Sequence, residues 1–342
     1  MLVGLPFAAL AAVVSVISVP EVAFGTTAAP NATATATAPG SIGIRLLDVP
    51  VSEANDPRAR LYIVDHVAAG AVVQRSIEVS NTTSSDLAVS LYAAGATIES
   101  GSFTGDAGHA ANDLSSWTTV SPAAPQIPAG GTATATVTIA VPTDATAGEQ
   151  YAIVWAEVRT SAGASGVTEV NRVGVRIYLS VGSGAAPAAS FTIGSLTAGR
   201  SPQGNPVVVA AVHNTGGIAL DMSGTLQLSD GPGGLSAGPF PAALGVTLAI
   251  GATEPVTVTL NEVVPSGPWL ARIALSSGLT ERTAHATITF PTSGTSSAVT
   301  TVATHRRSDA TIVVTVVVIA WMIAASSIAV LRRRPRDGHW LA

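Results

Sequence analysis

Trp117 stands in a polar stretch, AANDLSSWTTVSP, five residues after Asn112 and four after Asp113. An aromatic ring beside an amide and a carboxylate can stack on a sugar face while the polar groups take its hydroxyls. These three residues form a candidate ligand site; the alternative for Trp117 is a ring closing one end of a core. Catalytic patterns are missing. HExxH, GxSxG, CxxC and a Walker loop do not occur. Gly231-Pro232-Gly233-Gly234 is glycine-rich but reads as a loop between strands rather than a phosphate cradle. The six histidines, at 66, 109, 213, 285, 305 and 339, show no metal-ligand spacing. No catalytic residue, metal or cofactor is expected, and the chain reads as a non-enzyme. Trp155 has apolar neighbours on both strand faces and is expected in a core. Trp269 follows Ser-Gly-Pro and is expected under a turn.

Composition narrows the classes further. The chain has 342 residues, of which 47% are hydrophobic and only 11% charged. Cysteine is absent, which excludes disulfides, thiol chemistry and Cys-ligated metals. All 16 basic residues are arginine, and the net charge of −5 argues against nucleic acid.

The elements that would carry any site are strands. In residues 41–181 the runs Val72–Ser80, Leu87–Ala93, Thr132–Val141, Tyr151–Arg159 and Val170–Val181 are β-branched and bounded by turn residues. In residues 191–290 seven shorter runs follow: Phe191–Leu196, Val207–His213, Gly224–Leu228, Val246–Leu248, Val256–Leu260, Leu270–Leu275 and Ala286–Phe290. No helical period is evident. The fold class expected is all-β, two tandem Ig-like β-sandwiches, plus a single C-terminal transmembrane helix. IEVSNTTSSDLAVSL and VAAVHNTGGIALDMSG share the order strand, Asn-Thr, turn, strand, which suggests two related sandwiches.

The two ends read as targeting segments. Residues 1–25 resemble a signal peptide and 26–40 (TTAAPNATATATAPG) a low-complexity leader. Residues 182–190 form a linker and 291–309 a Ser/Thr-rich stalk. Ala310–Leu331 is uncharged throughout, and as a helix would span roughly 33 Å, enough to cross a bilayer. Arg332, Arg333, Arg334 and Arg336 follow, against Arg306 and Arg307 before it, so residues 332–342 are expected as a basic cytoplasmic tail. The expected location is a bacterial plasma membrane, single-pass, with the domains outside and a lipid bilayer contact through 310–331.

The order of motifs in LYIVDHVAAGAVVQRSIEVSNTTSSDLAVSLYAAGA, SFTGDAGHAANDLSSWTTVSP and IPAGGTATATVTIAVPTDATAGEQYAIVWAEV, with Tyr62, Gly70, Asn81, Trp117, Pro142, Gly148, Tyr151 and Glu157, resembles the peptidoglycan-binding domain of WxL-interacting proteins. Residues 191–290 look like the shorter Ig-like module of actinobacterial relatives. The resemblance implies a cell-surface protein whose partner is peptidoglycan and/or a secreted surface protein. Two rival readings are a pilus-type assembly chaperone or structural spacer subunit, and a wall-modifying enzyme.

Overall fold

The computed structural model describes residues 41–162 and 167–304. The expected signal peptide, leader, membrane span and arginine-rich tail therefore lie outside the described residues. The described residues form one compact unit of two sandwiches.

In the first sandwich, one sheet has the order β1 (Ile42–Leu46), β3 (Val72–Asn81), β9 (Thr132–Ala140), β7 (Thr118–Ser121). The facing sheet has the order β2 (Ile63–Val67), β11 (Val167–Val181), β10 (Gly148–Ala162), β5 (Ser90–Glu99), β6 (Ser102–Gly105). A two-residue ladder joins β4 (Leu87–Ala88) to β8 (Gln126–Ile127). β9 shows why the sequence makes strands: in TATATVTIA, Ala135, Val137 and Ile139 are buried and the alternate threonines are not. These meet Ile77, Val79, Val154, Ile177 and Leu179 across the two sheets, a dry core built from β-branched and leucine side chains.

The second sandwich repeats the plan. One sheet runs β18 (Thr253–Thr259), β13 (Pro206–Asn214), β12 (Phe191–Arg200), β21 (Val299–Thr300). The other runs β16 (Ala237–Pro241), β15 (Ser223–Ser229), β19 (Gly267–Ser277), β20 (Thr280–Phe290), β22 (Val302–Thr304). A small ladder joins β14 (Leu220–Asp221) to β17 (Thr247–Leu248). Phe191, Phe240, Phe290 and Trp269 fill its core. Residues 291–304, expected as part of a stalk, turn back along the sandwich instead. Ser296 donates to the Ala198 carbonyl, and β21 and β22 pair with β12 and β20.

Trp269 does pack under a turn. It is 1% exposed, its indole N–H donates to the Pro265 carbonyl at 3.1 Å, and a Cβ at Gly231 would sit 2.4 Å from its ring. Replacing Gly231 by alanine is therefore expected to force an overpacked core and cost about 1–3 kcal/mol. Urea denaturation checks this.

The shared Asn-Thr motif has a shared structural job. Asn81 ends β3 and its side-chain N–H group donates to the carbonyls of Ser85, Ile127 and Pro128. Asn214 ends β13 and donates to those of Ile218, Leu248 and Ala249. In each case the side-chain oxygen accepts an amide two residues on. Both side chains are 1% exposed. The same polar bolt closes the same corner in both sandwiches.

One short helix, α1 (Asp113–Trp117), departs from the expected strand or loop. Five residues carry no readable period, and the signal is local: Asn112 caps it, accepting from the Ser115 amide at 2.9 Å while Ser115 accepts from the Asn112 amide at 2.8 Å. Among the described residues no helix is long and apolar enough to cross a membrane.

Candidate functional site

The outer face of the sheet β2-β11-β10-β5-β6 is the unusual surface of this molecule. Along β11 the residues Arg172, Gly174, Arg176, Tyr178 and Ser180 alternate with core residues Val173, Val175, Ile177 and Leu179. Along β10 the same face carries Glu149, Tyr151, Ile153, Trp155 and Glu157. All 4 tyrosines of the chain lie here, in a cluster with Phe103, Ile153 and Trp155 that is separate from the sandwich core. Trp155 is thus outside the core in which the sequence placed it.

The second sandwich docks on part of this face through one carboxylate. Asp221 Oδ2 accepts from Arg58 Nε at 2.7 Å. Its Oδ1 accepts from Arg176 Nη1 at 2.9 Å, Tyr178 OH at 2.8 Å and Thr247 Oγ1 at 2.9 Å. The Arg58 guanidinium lies 4.3 Å over the Tyr178 ring, and that of Arg176 lies 4.7 Å over Phe103. Arg58 is 6% exposed, so its charge stays in place only because Asp221 answers it. Three further bonds cross the junction: Arg176 Nη1 donates to Thr247 Oγ1 at 3.3 Å, Ala219 N to Glu149 Oε2 at 2.6 Å, and Thr247 N to the Gly101 carbonyl at 2.8 Å.

A cleft of about 470 Å³ opens beside this junction, lined among others by Asp56, Arg58, Asp65, His66, Glu149 and Leu279. Arg58 is placed by a loop in which its own amide donates to Asp56 and its carbonyl accepts from Leu61 and Tyr62. Four buried polar atoms of the lining have no partner among the described residues: Arg58 Nη2, His66 Nε2, Ser277 Oγ and Asp65 Oδ2. His66 Nδ1 and the Ser180 hydroxyl share a hydrogen bond of 3.2 Å whose direction is set by the imidazole tautomer. Three cleft carboxylates have partners within the chain: Asp65 Oδ1 in Arg75, Asp56 in the Arg58 amide, and Glu149 in Tyr151 OH and the Ala219 amide. The arrangement is built to hold and orient, with buried polar atoms to spare in its wall. A groove of about 750 Å³ on the second sandwich is larger, but its charged groups, Arg272, Glu281 and Arg282, are exposed, and it lies away from the junction. Among the described residues no cluster of three or more His, Cys, Asp or Glu could hold a metal ion.

Burial pushes the Glu149 carboxyl above its ordinary value, against the Tyr151 hydroxyl, the Ala219 amide and the Arg58 charge, which pull it down. The native state therefore keeps this proton to higher pH than the unfolded chain does, so ionising Glu149 subtracts stability as pH rises out of the ordinary carboxylate range. Asp65 is pushed the same way, again by burial, with Arg75 opposing. Glu149→Gln is expected to reduce the fall in stability between about pH 4 and 7, measured by urea midpoints across that range. An unchanged slope would assign it to other groups.

The sequence-predicted site takes structural roles. The Asn112 side-chain amide donates to the Tyr151 carbonyl at 2.7 Å besides capping α1. Asp113 lies in the first turn, where a carboxylate suits the helix end. Trp117 is half-buried against the first core. The junction residues went unnoticed because they are scattered from 58 to 247; the readable signal was the polar and aromatic alternation along β11.

No protein-family model matches the chain. No curated protein matches it either. Solved structures do. The Pseudomonas aeruginosa CupB2 chaperone is 11% identical over 66% of this chain and 97% of the other, with a TM-score of 0.36. The Salmonella enterica SafA pilin–SafB chaperone complex is 11% identical over 72% and 96%, at 0.37. The Acinetobacter baumannii CsuC–CsuE chaperone–tip adhesion subunit complex is 15% identical over 68% and 96%, at 0.34. The resemblance to WxL-interacting proteins is thereby corrected: these neighbours are chaperones and chaperone–subunit complexes, not WxL-interacting proteins. Peptidoglycan as partner falls with it. The expected bilayer contact through 310–331 lies outside the described residues, and among the described residues no helix is long and apolar enough to cross a membrane. What stands is an all-β fold of two Ig-like sandwiches over the described residues.

Proposed function

We propose that this chain is a non-catalytic assembly protein of the pilus-chaperone type, a fixed elbow of two sandwiches that holds a partner polypeptide in the cleft between them. One observation carries the reading: the Asp221 junction ties the two sandwiches together, and the cleft beside it keeps buried polar atoms, Arg58 Nη2 and His66 Nε2 among them, without a partner among the described residues. A buried donor left unmade costs about 1–3 kcal/mol, and a partner carbonyl or carboxylate would recover it. At TM-scores below 0.5 the chaperone likeness does not itself carry the function. The elbow and its open polar atoms do.

The test is site-specific photocrosslinking from position 66 in the producing cells, with position 244, exposed on the second sandwich, as control. The chaperone reading expects one secreted protein to crosslink from the cleft alone, and that protein to be degraded or aggregated when this chain is deleted. A partner that accumulates normally without the chain would favour a spacer subunit instead.

A further inference from the structure

The second sandwich covers only part of the aromatic face. Beyond the junction the face continues to Trp155, Tyr92, His109 and Arg172. Its construction repeats that of the covered half. Arg172 lies 4.4 Å over the Trp155 ring, as Arg176 lies 4.7 Å over Phe103. The two arginines share one face of β11, about 13 Å apart along the strand. The ring rests on a floor from which side chains are missing: a Cβ at Gly105 or at Gly174 would come within 2.8 Å of it. Tyr92 and His109 stack beside it with centroids 3.6 Å apart.

The charges differ in one respect. In the covered half Arg176 meets Asp221 of the second sandwich. In the open half the local carboxylate, Glu157, is already used: Oε2 accepts from Tyr92 OH and Oε1 from Arg159, each at 2.6 Å. Arg172 is exposed and makes no ion pair among the described residues. The Trp155 indole N–H, shielded from solvent, has no acceptor among the described residues. With Arg159 and Arg172 against Glu157, the patch is cationic on a chain of net charge −5.

We propose that the Trp155–Arg172 patch docks an acidic polypeptide segment of a partner, its carboxylate seated on Arg172 as Asp221 is seated on Arg176, with apolar neighbours on the Trp155 ring. Continuity with the sandwich junction and charge complementarity select this occupant. The patch is separate from the cleft and rests on the proposed function only in taking the partner to be a polypeptide.

The test is selection of a phage-displayed random heptapeptide library on the full chain, on Arg172→Glu, on Arg172→Gln and on the cleft variant His66→Ala. Melting curves would confirm that each variant folds. The expected result is enrichment of peptides with Asp or Glu beside an aromatic residue, at least tenfold weaker binding of those peptides to Arg172→Glu and Arg172→Gln, and no loss with His66→Ala. Arg172→Glu should shift selection toward basic peptides. Absence of charge selection, or the same selection on Arg172→Glu, overturns the proposal. Equal loss with His66→Ala would place the peptide in the cleft. Arg172-dependent dimers in sedimentation would give the patch to a second copy. Failure here leaves crosslinking from position 66 unaffected, so the two readings fail separately.

Discussion

Asp221→Ala should cost about 3 kcal/mol or more and separate the two sandwiches into independent unfolding units. Removing one member of a buried ion pair costs roughly 3–5 kcal/mol because the remaining charge is left uncompensated. Here two cations lose their partner at once. Arg58, at 6% exposure, cannot turn to water, whereas Arg176, at 23%, can do so in part. Asp221 itself keeps 16% exposure, which argues for the lower end of the range. Tyr178 and Thr247 lose their acceptor as well. Asp221→Asn should fall between, since an amide oxygen can still accept from the hydroxyls while the charge is gone. Calorimetry and urea denaturation provide the check. Wild type is expected to unfold in one transition and Asp221→Ala in two, because the remaining bonds across the junction are few. A loss below about 1 kcal/mol would mean that solvent screens the cluster as it screens surface pairs, and the fixed elbow would have to be abandoned.

The second large effect is expected at the two asparagine bolts. In Asn214 the two hydrogens of one side-chain amide serve three carbonyls at 2.9, 3.3 and 3.1 Å, while the oxygen accepts from Gly216 at 2.9 Å. Alanine leaves these groups buried without partners, and a cost of about 2–4 kcal/mol follows. Asn214→Asp should be at least as severe, although it is nearly isosteric, because a carboxylate would face three carbonyl oxygens with no hydrogen to offer. The same pair of substitutions at Asn81 should give losses within about 1 kcal/mol of those at Asn214, since the partners correspond. Urea midpoints of the four variants measure this. An Asn→Asp change that proved neutral would show that the side chain does not donate at that corner.

The strands were largely legible in the sequence. Val72–Ser80 and Val207–His213 each fall within one residue of the observed ends, because alternating β-branched residues bounded by turn signals can bury only one face. The Asn-Thr echo proved to mark one corner built twice. Other elements carried too little sequence to read. β14 and β17 have two residues each, and α1 has five. β21 and β22 lie in a Ser/Thr-rich stretch whose composition suggests free chain, and they are strands only because β12 and β20 offer them open edges.

The candidate site divides the same way. The sequence alone determined that β11 has an apolar face and a face of arginines and a tyrosine, since period-2 alternation fixes which side chains point together. It did not determine what meets that second face. Trp155, with apolar neighbours on either side, reads as core from its own strand, yet both strand faces are partly covered here, one by the opposing sheet and one by aromatic side chains. Asp221 lies 163 residues from Arg58 and 45 from Arg176. Nothing local in any of those segments encodes the pairing. The tertiary structure alone decided it, because a carboxylate in water gains little from a distant arginine, and only the docking of two sandwiches excludes the water and makes the pairing decisive.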